Sequence, residues 1–176
     1  GPPDLVIVTL DTTRADHLGA YGYPRDTSPR FDALAAESVL FERFVVPMAT
    51  TLPVHTSLMT GTWPEEHGIL ANMAHGGQRY VPSDGLVPVA AWARDRGYQT
   101  AAFVSATPVK RGTGMEQGFD TFDEPEGHER QADVTTRQAI RWLRRAGPEP
   151  VLLWVHYFDP HRNYREHTWH KLDKDD

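Results

Sequence analysis

Two short apolar runs constrain the fold of this chain more than any other feature. The run LVIVTL occupies residues 5–10 and VLLWV occupies residues 151–155. Runs of this length, rich in Val, Ile and Leu, are typical of strands buried on both faces of a parallel sheet. Both are far shorter than the roughly 20 residues that cross a bilayer, so the sequence predicts no transmembrane segment.

Strand-like and helix-like segments alternate along the chain. This alternation predicts an α/β fold with a mainly parallel sheet flanked by helices on both faces. Helices are predicted at 28–38, from Thr51 to Gly61, at 85–98 and at 131–147, strands at 4–10, 39–46, 99–105 and 150–158, and a long loop at 106–130. Because sites in such sheets gather at the carboxyl ends of strands, we expect Asp11, Ser105 and the DPH of residues 159–161 to meet at one edge.

Composition limits the function classes. A formal net charge of −6 argues against a general nucleic-acid binder, which needs a basic face to neutralise phosphates. The absence of cysteine excludes disulfides, thiolate zinc sites and a cysteine nucleophile. Five of the nine histidines lack the compact spacing of a zinc site, which argues against one; they are His67, His75, His128, His167 and His170. The 176 residues, 39% of them hydrophobic, suffice for the core of one domain.

Asp11 and Thr51 each allow two interpretations. Asp11, at the end of an apolar strand, either caps the next helical turn or binds a hard divalent cation. Thr51 stands two residues before Pro53, so it either caps a helix or presents its hydroxyl at a helix N-terminus, where an anionic ester is favoured. The local sequence does not decide between the two interpretations of either residue.

Two histidines are candidates for the same site. His55 lies four residues after Thr51, so on a helix the two share a face. It either orients the hydroxyl, binds the anion or is a half-buried polar residue. His161 is either a general acid or anion ligand, or a structural histidine after a strand.

Taken in order, several motifs resemble the N-terminal part of the sulfatase family, within the alkaline phosphatase superfamily. They cover nearly the whole chain, and the ordered set is far more specific than any one motif. The matching stretches are VIVTLDTTRADHLGAYGY, TSPRFDALAAESVLFERFV, TLPVHTSLMTG, WPEEHGILAN, GYQTAAFV, GFDTFD and LLWVHYFDPHRNY.

The resemblance implies an alkaline phosphatase-like fold and one divalent cation, calcium or magnesium. Asp11 matches the first acidic metal ligand, and Thr12 stands where many members have a second. Thr51 occupies the position that sulfatases convert to formylglycine, which places it beside the metal as well as at the reacting centre. His55 replaces the usual arginine of that motif, and His161 matches a histidine that contacts the sulfate or the leaving oxygen.

Thr51 also departs from the family pattern. The formylglycine precursor is Cys or Ser, and a secondary alcohol yields no aldehyde on oxidation, so no formylglycine is expected. Threonine has one oxygen, so release of the product requires water to attack the covalent ester. Phosphoryl esters undergo this displacement readily in a metal site. Thr51 therefore favours phosphate over sulfate chemistry without deciding between them.

Two further departures concern the anion and the metal. After GYQTAAFV, many sulfatases have a Gly-Lys-Trp-His segment that binds the substrate anion; here SATPVKR follows, and Lys110 is the candidate cation. The remaining metal ligands of the family, an Asp followed by Asn or His, lie well beyond DPH. The resemblance thus implies that residues 1–176 are part of an N-terminal domain whose C-terminal half or partner chain is missing.

Three hypotheses follow for the function. The first is a metal-dependent hydrolase of sulfate or phosphate esters. The second is a phosphodiesterase or a phosphoethanolamine-type transferase with a threonine nucleophile. The third is a non-catalytic sulfatase-like domain that binds an anionic glycan or a protein. The chain begins GPPD, without a charged and apolar leader, and the sequence does not decide the compartment.

Overall fold

The computed structural model describes residues 1–73, 77, 83 and 85–161. The chain forms two compact units. One comprises Gly1–Asp11 with Pro47–Asp176, and the other is Thr12–Val46. The strands are β1 (Leu5–Leu10), β2 (Gln99–Phe103), β3 (Thr121–Asp123) and β4 (Val151–Tyr157), and the α-helices are α1 (Pro29–Ala36), α2 (Thr51–Thr60), α3 (Pro64–His67), α4 (Val89–Arg94) and α5 (Ala132–Leu143).

The larger unit contains a four-stranded sheet with the order β1-β4-β2-β3. Each of its three strand pairs is parallel, which confirms the predicted parallel sheet. The segment 106–130, predicted as loop, contains the short strand β3 and a 3₁₀ turn at Thr107–Val109. A three-residue strand is too short to leave a periodic signal in the sequence.

Helices cover both faces of this sheet, as predicted. Alternate residues of β4 point to opposite faces. Leu153 and Val155 pack in one cluster with Ala139 of α5. On the opposite face, Trp154 packs with Leu52 of α2, while the neighbouring Leu152 packs with residues of α4.

β1 is covered on one face only. Ile7 packs against the cluster that contains Trp154, whereas Val6, Val8 and Leu10 are exposed. The expectation that β1 is buried on both faces is therefore wrong for the described residues. The reason is that α5 packs against β2 and β4 and leaves the same face of β1 uncovered.

The smaller unit is built around α1. Ser28, predicted to cap this helix, accepts a hydrogen bond from the Gly19 N–H at 2.9 Å, and the carboxylate of Asp32 accepts one from the Ala20 N–H at 2.7 Å. The strand predicted at 39–46 is wrong: the segment is irregular and its Val39 and Val45 are 82% and 83% exposed. None of the described residues of this unit forms a strand, so the segment has no ladder to join.

Candidate functional site

Strand register places Asp11 beside His156. On β1, Ile7 and Thr9 pair with Trp154 and His156 of β4, and paired residues of parallel strands point to the same face. Asp11 continues the Ile7–Thr9 series, and its backbone N–H donates to the Tyr157 carbonyl at 2.9 Å. Its carboxylate Oδ2 lies 3.2 Å from Nε2 of His156. The cap interpretation of Asp11 is wrong, because the following 3₁₀ turn has Arg14 as its N-cap.

Helix α2 starts at this edge of the sheet with Thr51. The N-cap residue is Thr50, and Thr51 is the first helical residue, so the interpretation of Thr51 as the cap is wrong. The amide oxygen of Asn72 accepts the Leu52 N–H at 2.8 Å. A side chain from a later loop thus satisfies the helix N-terminus, and the Thr51 hydroxyl is not used for capping.

His55 lies one turn further along α2 and is buried. Its Nδ1 is 2.8 Å from the backbone carbonyl oxygen of Thr51. A carbonyl only accepts, so Nδ1 carries the proton and donates. His55 therefore binds the backbone of Thr51 at this nitrogen. Its ring centroid lies 5.0 Å from that of His156, in an edge-on arrangement.

The surroundings of Asp11 and His55 set their charge states. Burial raises the pKa of the Asp11 carboxyl, but the hydrogen bond from His156, attraction to His156 and His55, and the Thr51 side chain outweigh it, so the pKa lies below its usual value. Burial lowers the pKa of His55 to about 4, and repulsion by His156 adds to this. At neutral pH the site thus holds a carboxylate and a neutral His55 imidazole.

The chemistry of these side chains fits a divalent cation. Asp11, His55 and His156 each offer a ligand atom, and these atoms lie within 4.8 Å of one another. Among the described residues, this is the one group of three acidic, histidine or cysteine side chains so arranged. All three are buried, unlike the exposed acidic clusters that are common on protein surfaces.

A buried polar network supports His156 from behind. The Ser105 N–H donates to Nδ1 of His156 at 3.4 Å, and the Ser105 hydroxyl lies 2.7 Å from Oγ1 of Thr135 on α5. Arg130 donates from Nε to the same Thr135 oxygen at 3.0 Å and forms an ion pair with Asp123. Asp11 and Ser105 thus meet at this edge through His156, as predicted.

His161 and Lys110 lie outside this cluster. The ring of His161 stacks on Phe158 at 4.2 Å, and Phe158 lies 6.1 Å from the His156 ring. The Nζ of Lys110 donates to the Gly127 carbonyl at 3.3 Å. Asp159 of the DPH motif accepts the Ala132 N–H at 3.1 Å, at the start of α5. The catalytic role of His161 and the substrate-binding role of Lys110 stay predictions.

His156 was not predicted as a site residue. It stands inside an apolar strand, where a histidine is easily taken for a structural residue. The available signal was the alternation of side chains along a strand. His156 lies two residues after Trp154, so it points to the same face as Trp154 and is the last residue on that face before the strand ends.

The sequence model of the sulfatase family matches residues 3–173. The chain belongs to the sulfatase family. Human N-acetylgalactosamine-6-sulfatase is 28% identical over 137 residues, which cover 72% of this chain and 26% of that protein. This sulfatase-family chain therefore spans about a quarter of the length of that relative.

Solved structures share the fold. The phosphonate monoester hydrolase of Agrobacterium radiobacter superposes with a TM-score of 0.73 at 22% identity, covering 91% of this chain and 41% of that one. A protein in the alkaline phosphatase superfamily from Vibrio parahaemolyticus gives a TM-score of 0.70 at 18% identity, with coverage of 99% and 44%. The predicted alkaline phosphatase-like fold is confirmed. No helix among the described residues is long and apolar enough to cross a membrane.

Proposed function

We propose that this sulfatase-family protein is a metal-dependent hydrolase of sulfate or phosphate esters in which Thr51 is the attacking group. The observation that carries the proposal is the convergence of α2 and the sheet edge. Thr51 is the first residue of α2, and its carbonyl accepts a hydrogen bond from His55 at 2.8 Å. His55 belongs with Asp11 to the one cluster among the described residues that is suited to a metal ion. A hydroxyl beside a cation site is the arrangement that metal-assisted, covalent hydrolysis of phosphate or sulfate esters uses.

The chain's own residues have defined tasks in this proposal. Asp11 and the Thr51 hydroxyl would hold the divalent cation, and His55 orients Thr51 for the attack. A bound cation would neutralise charge on the ester oxygens and lower the pKa of the hydroxyl. His161 protonates the leaving alcohol, and Lys110 attracts the substrate anion.

The reaction proceeds in two displacements. First, the Thr51 oxygen forms a bond to phosphorus or sulfur, the ester bond to the substrate alcohol breaks, and the alcohol leaves with one proton. Second, water attacks the Thr51 ester, the bond to the Thr51 oxygen breaks, and the hydroxyl recovers its proton. The second step has no aldehyde hydrate to assist it, which is why we expect faster turnover of phosphate than of sulfate esters.

The test is hydrolysis of matched aryl sulfate, phosphate monoester and phosphodiester substrates by the full-length protein with added divalent ions. We expect Thr51→Ala to reduce kcat by about 10³-fold or more, as is usual for loss of a nucleophile. Thr60→Ala is the matched control: Thr60 ends the same helix and its hydroxyl binds the Thr56 carbonyl at 2.7 Å. Turnover that Thr51→Ala leaves unchanged would remove Thr51 from the reaction.

Two results would redirect the proposal. Product that forms only when an alcohol acceptor is supplied indicates a transferase. A folded full-length protein that binds no divalent ion and turns over none of the three esters indicates a non-catalytic binding domain.

A further inference from the structure

One face of β1 is apolar and uncovered. Val6, Val8 and Leu10 are 56%, 54% and 39% exposed, and they lie on the face that α5 covers on the neighbouring strand β4. A row of apolar side chains along a strand, open to water, promotes aggregation, so soluble proteins rarely leave one exposed. This row, called the β1 row below, therefore needs a covering element.

Helix α5 forms an apolar wall beside the β1 row. The Thr136 hydroxyl bonds to the hydroxyl of Tyr157 at 2.6 Å, and Tyr157 is the β4 residue that pairs with Leu10 of β1. Thr136, Ile140 and Leu143 share one face of α5, because they follow the i, i+4, i+7 spacing. Ile140 and Leu143 thus lie on the β1 side of α5, where they are 46% and 40% exposed. Together, the β1 row and this wall form an apolar trough.

The outer edge of β1 is also free in the described part of the sheet, where β4 is its one neighbour. Natural edge strands are usually short, or carry charges, proline or a bulge. At the other edge, β3 has three residues and fits this rule. β1 has six residues, LVIVTL, in unbroken register with β4 and has none of these features. β1 is therefore built like an interior strand, and parallel sheets are normally covered on both faces.

The direction in which the chain crosses the sheet decides which face a further helix would cover. Crossovers between parallel strands are right-handed, so crossovers that run in opposite directions lie on opposite faces. From β1 to β2 the chain crosses toward β3, and its helices α2 and α4 pack on the Trp154 face. From β3 to β4 it crosses back toward β1, and α5 packs on the Leu153 face. A crossover from β4 to a strand beyond β1 continues in this second direction, so its helix lies on the α5 face, over the β1 row.

We propose that β1 and α5 form the docking surface for a helix and strand of the full-length protein that lie C-terminal to β4. The strand pairs parallel with the free edge of β1, and the helix fills the trough. The human relative is long enough for such a unit, because the matched residues cover 26% of it. The exposed Arg137 and Arg144 are the helical neighbours of Ile140, so the docked helix has an apolar face and an acidic flank. This interface is independent of the proposed ester hydrolysis.

A second copy of the chain fits this surface less well. Two copies related by a two-fold axis would join β1 to β1 antiparallel, at the edge of a sheet whose described strand pairs are all parallel. The axis would then be perpendicular to the sheet, so both β1 rows would stay on one side and merge into a larger exposed patch. Pairing between copies thus leaves the apolar side chains in water, whereas a crossover helix covers them.

The first test measures the accessibility of the β1 row in the native, full-length protein. Val8→Cys places a thiol in the middle of the row, and Arg141→Cys is the control at an exposed position of α5 outside it. We expect a maleimide to label Val8→Cys at least about 100-fold more slowly than Arg141→Cys, because a covered thiol reacts only after local unfolding. In concentrated urea the two variants should react at equal rates. Equal rates in the native protein would overturn the docking of the helix.

Hydrogen exchange of the unmodified full-length protein tests the strand. Successive residues of a parallel strand point their N–H groups to opposite edges, so pairing with β4 alone protects about half of the six β1 amides. We expect all six to be protected in a protein that light scattering shows to be monomeric. Rapid exchange of half of them would overturn the pairing of a further strand with β1. Protection that is lost when a dimer dissociates on dilution would assign the surface to a second copy and overturn the assignment to the same chain.

Discussion

We expect Thr135→Val to destabilise the protein by about 2 to 3 kcal/mol through the network behind His156. Thr135 is 0% exposed, and its hydroxyl oxygen lies 2.7 Å from the Ser105 hydroxyl and 3.0 Å from Nε of Arg130. Valine has nearly the shape of threonine, so no cavity forms. The loss arises because a buried hydroxyl and a guanidinium N–H lose their partner, at about 1 to 3 kcal/mol for such a group.

Urea unfolding followed by circular dichroism measures this loss. With a slope of about 2 kcal/mol per molar urea, the midpoint should fall by about 1 to 1.5 M. Thr136→Val is the matched control on the same helix. The Thr136 hydroxyl bonds to the Tyr157 hydroxyl at 2.6 Å, and both residues are half-buried, so water replaces the lost partner and about 1 kcal/mol or less is lost.

The comparison between the two valine variants tests whether the buried network around Thr135 contributes more to stability than a half-buried hydrogen bond. Equal midpoints for Thr135→Val and Thr136→Val would refute the reasoning, because the buried network would then contribute no more than a half-buried pair. Thr135→Ser keeps the hydroxyl and removes one methyl group, so we expect it to lose only about 1 kcal/mol.

Two further predictions concern the larger unit. Gly118 has a φ of +85°, and a Cβ there would lie 2.1 Å from the Ala91 nitrogen, so Gly118→Ala should lower the free energy of unfolding by about 3 kcal/mol or more. Gly97 is the control: its φ is +83° but a Cβ would meet nothing within 4 Å, so Gly97→Ala should cost about 1 to 2 kcal/mol. Equal losses of stability in thermal unfolding would contradict the clash at Gly118. Burial lowers the pKa of His67 below its usual 6.5, and the nearby acidic side chains only partly oppose this. The unfolded chain therefore binds a proton below about pH 6.5 that the native state resists, and stability falls as the pH drops through this range; His67→Gln should show a shallower decline between pH 7.5 and 5, and an unchanged slope would exclude His67 as a source.

Much of the fold was predictable because the strand signals are local. The runs that became β1 and β4 are rich in Val, Ile and Leu, and the break at Gly97 predicted the entry to β2. The segment 39–46 has a similar composition but forms no strand, because a strand depends on a neighbour with which to pair. Pairing is a property of the tertiary structure, which composition does not report.

The site was predictable to the level of its strand ends. Asp11, Thr51 and His55 were identified from position and motif, and the structure brings them together with the sheet edge. The role of Asn72 at the start of α2 and the tautomers of the two imidazoles were not predictable, because each depends on a contact between residues distant in sequence. His156 depends on register, which requires knowing that β1 pairs with β4.

The pairing of β1 with β4 has a consequence for the order of events during synthesis. Asp11 and His156 are 145 residues apart, and β4 is the one described strand that pairs with β1. At about 5 to 20 residues per second, a ribosome needs roughly 7 to 30 seconds to make the chain between them. β2 and β3 are synthesised earlier, but β1 stays unpaired, with its apolar side chains accessible, until β4 has been made. We therefore expect chaperones to bind the nascent chain during this interval.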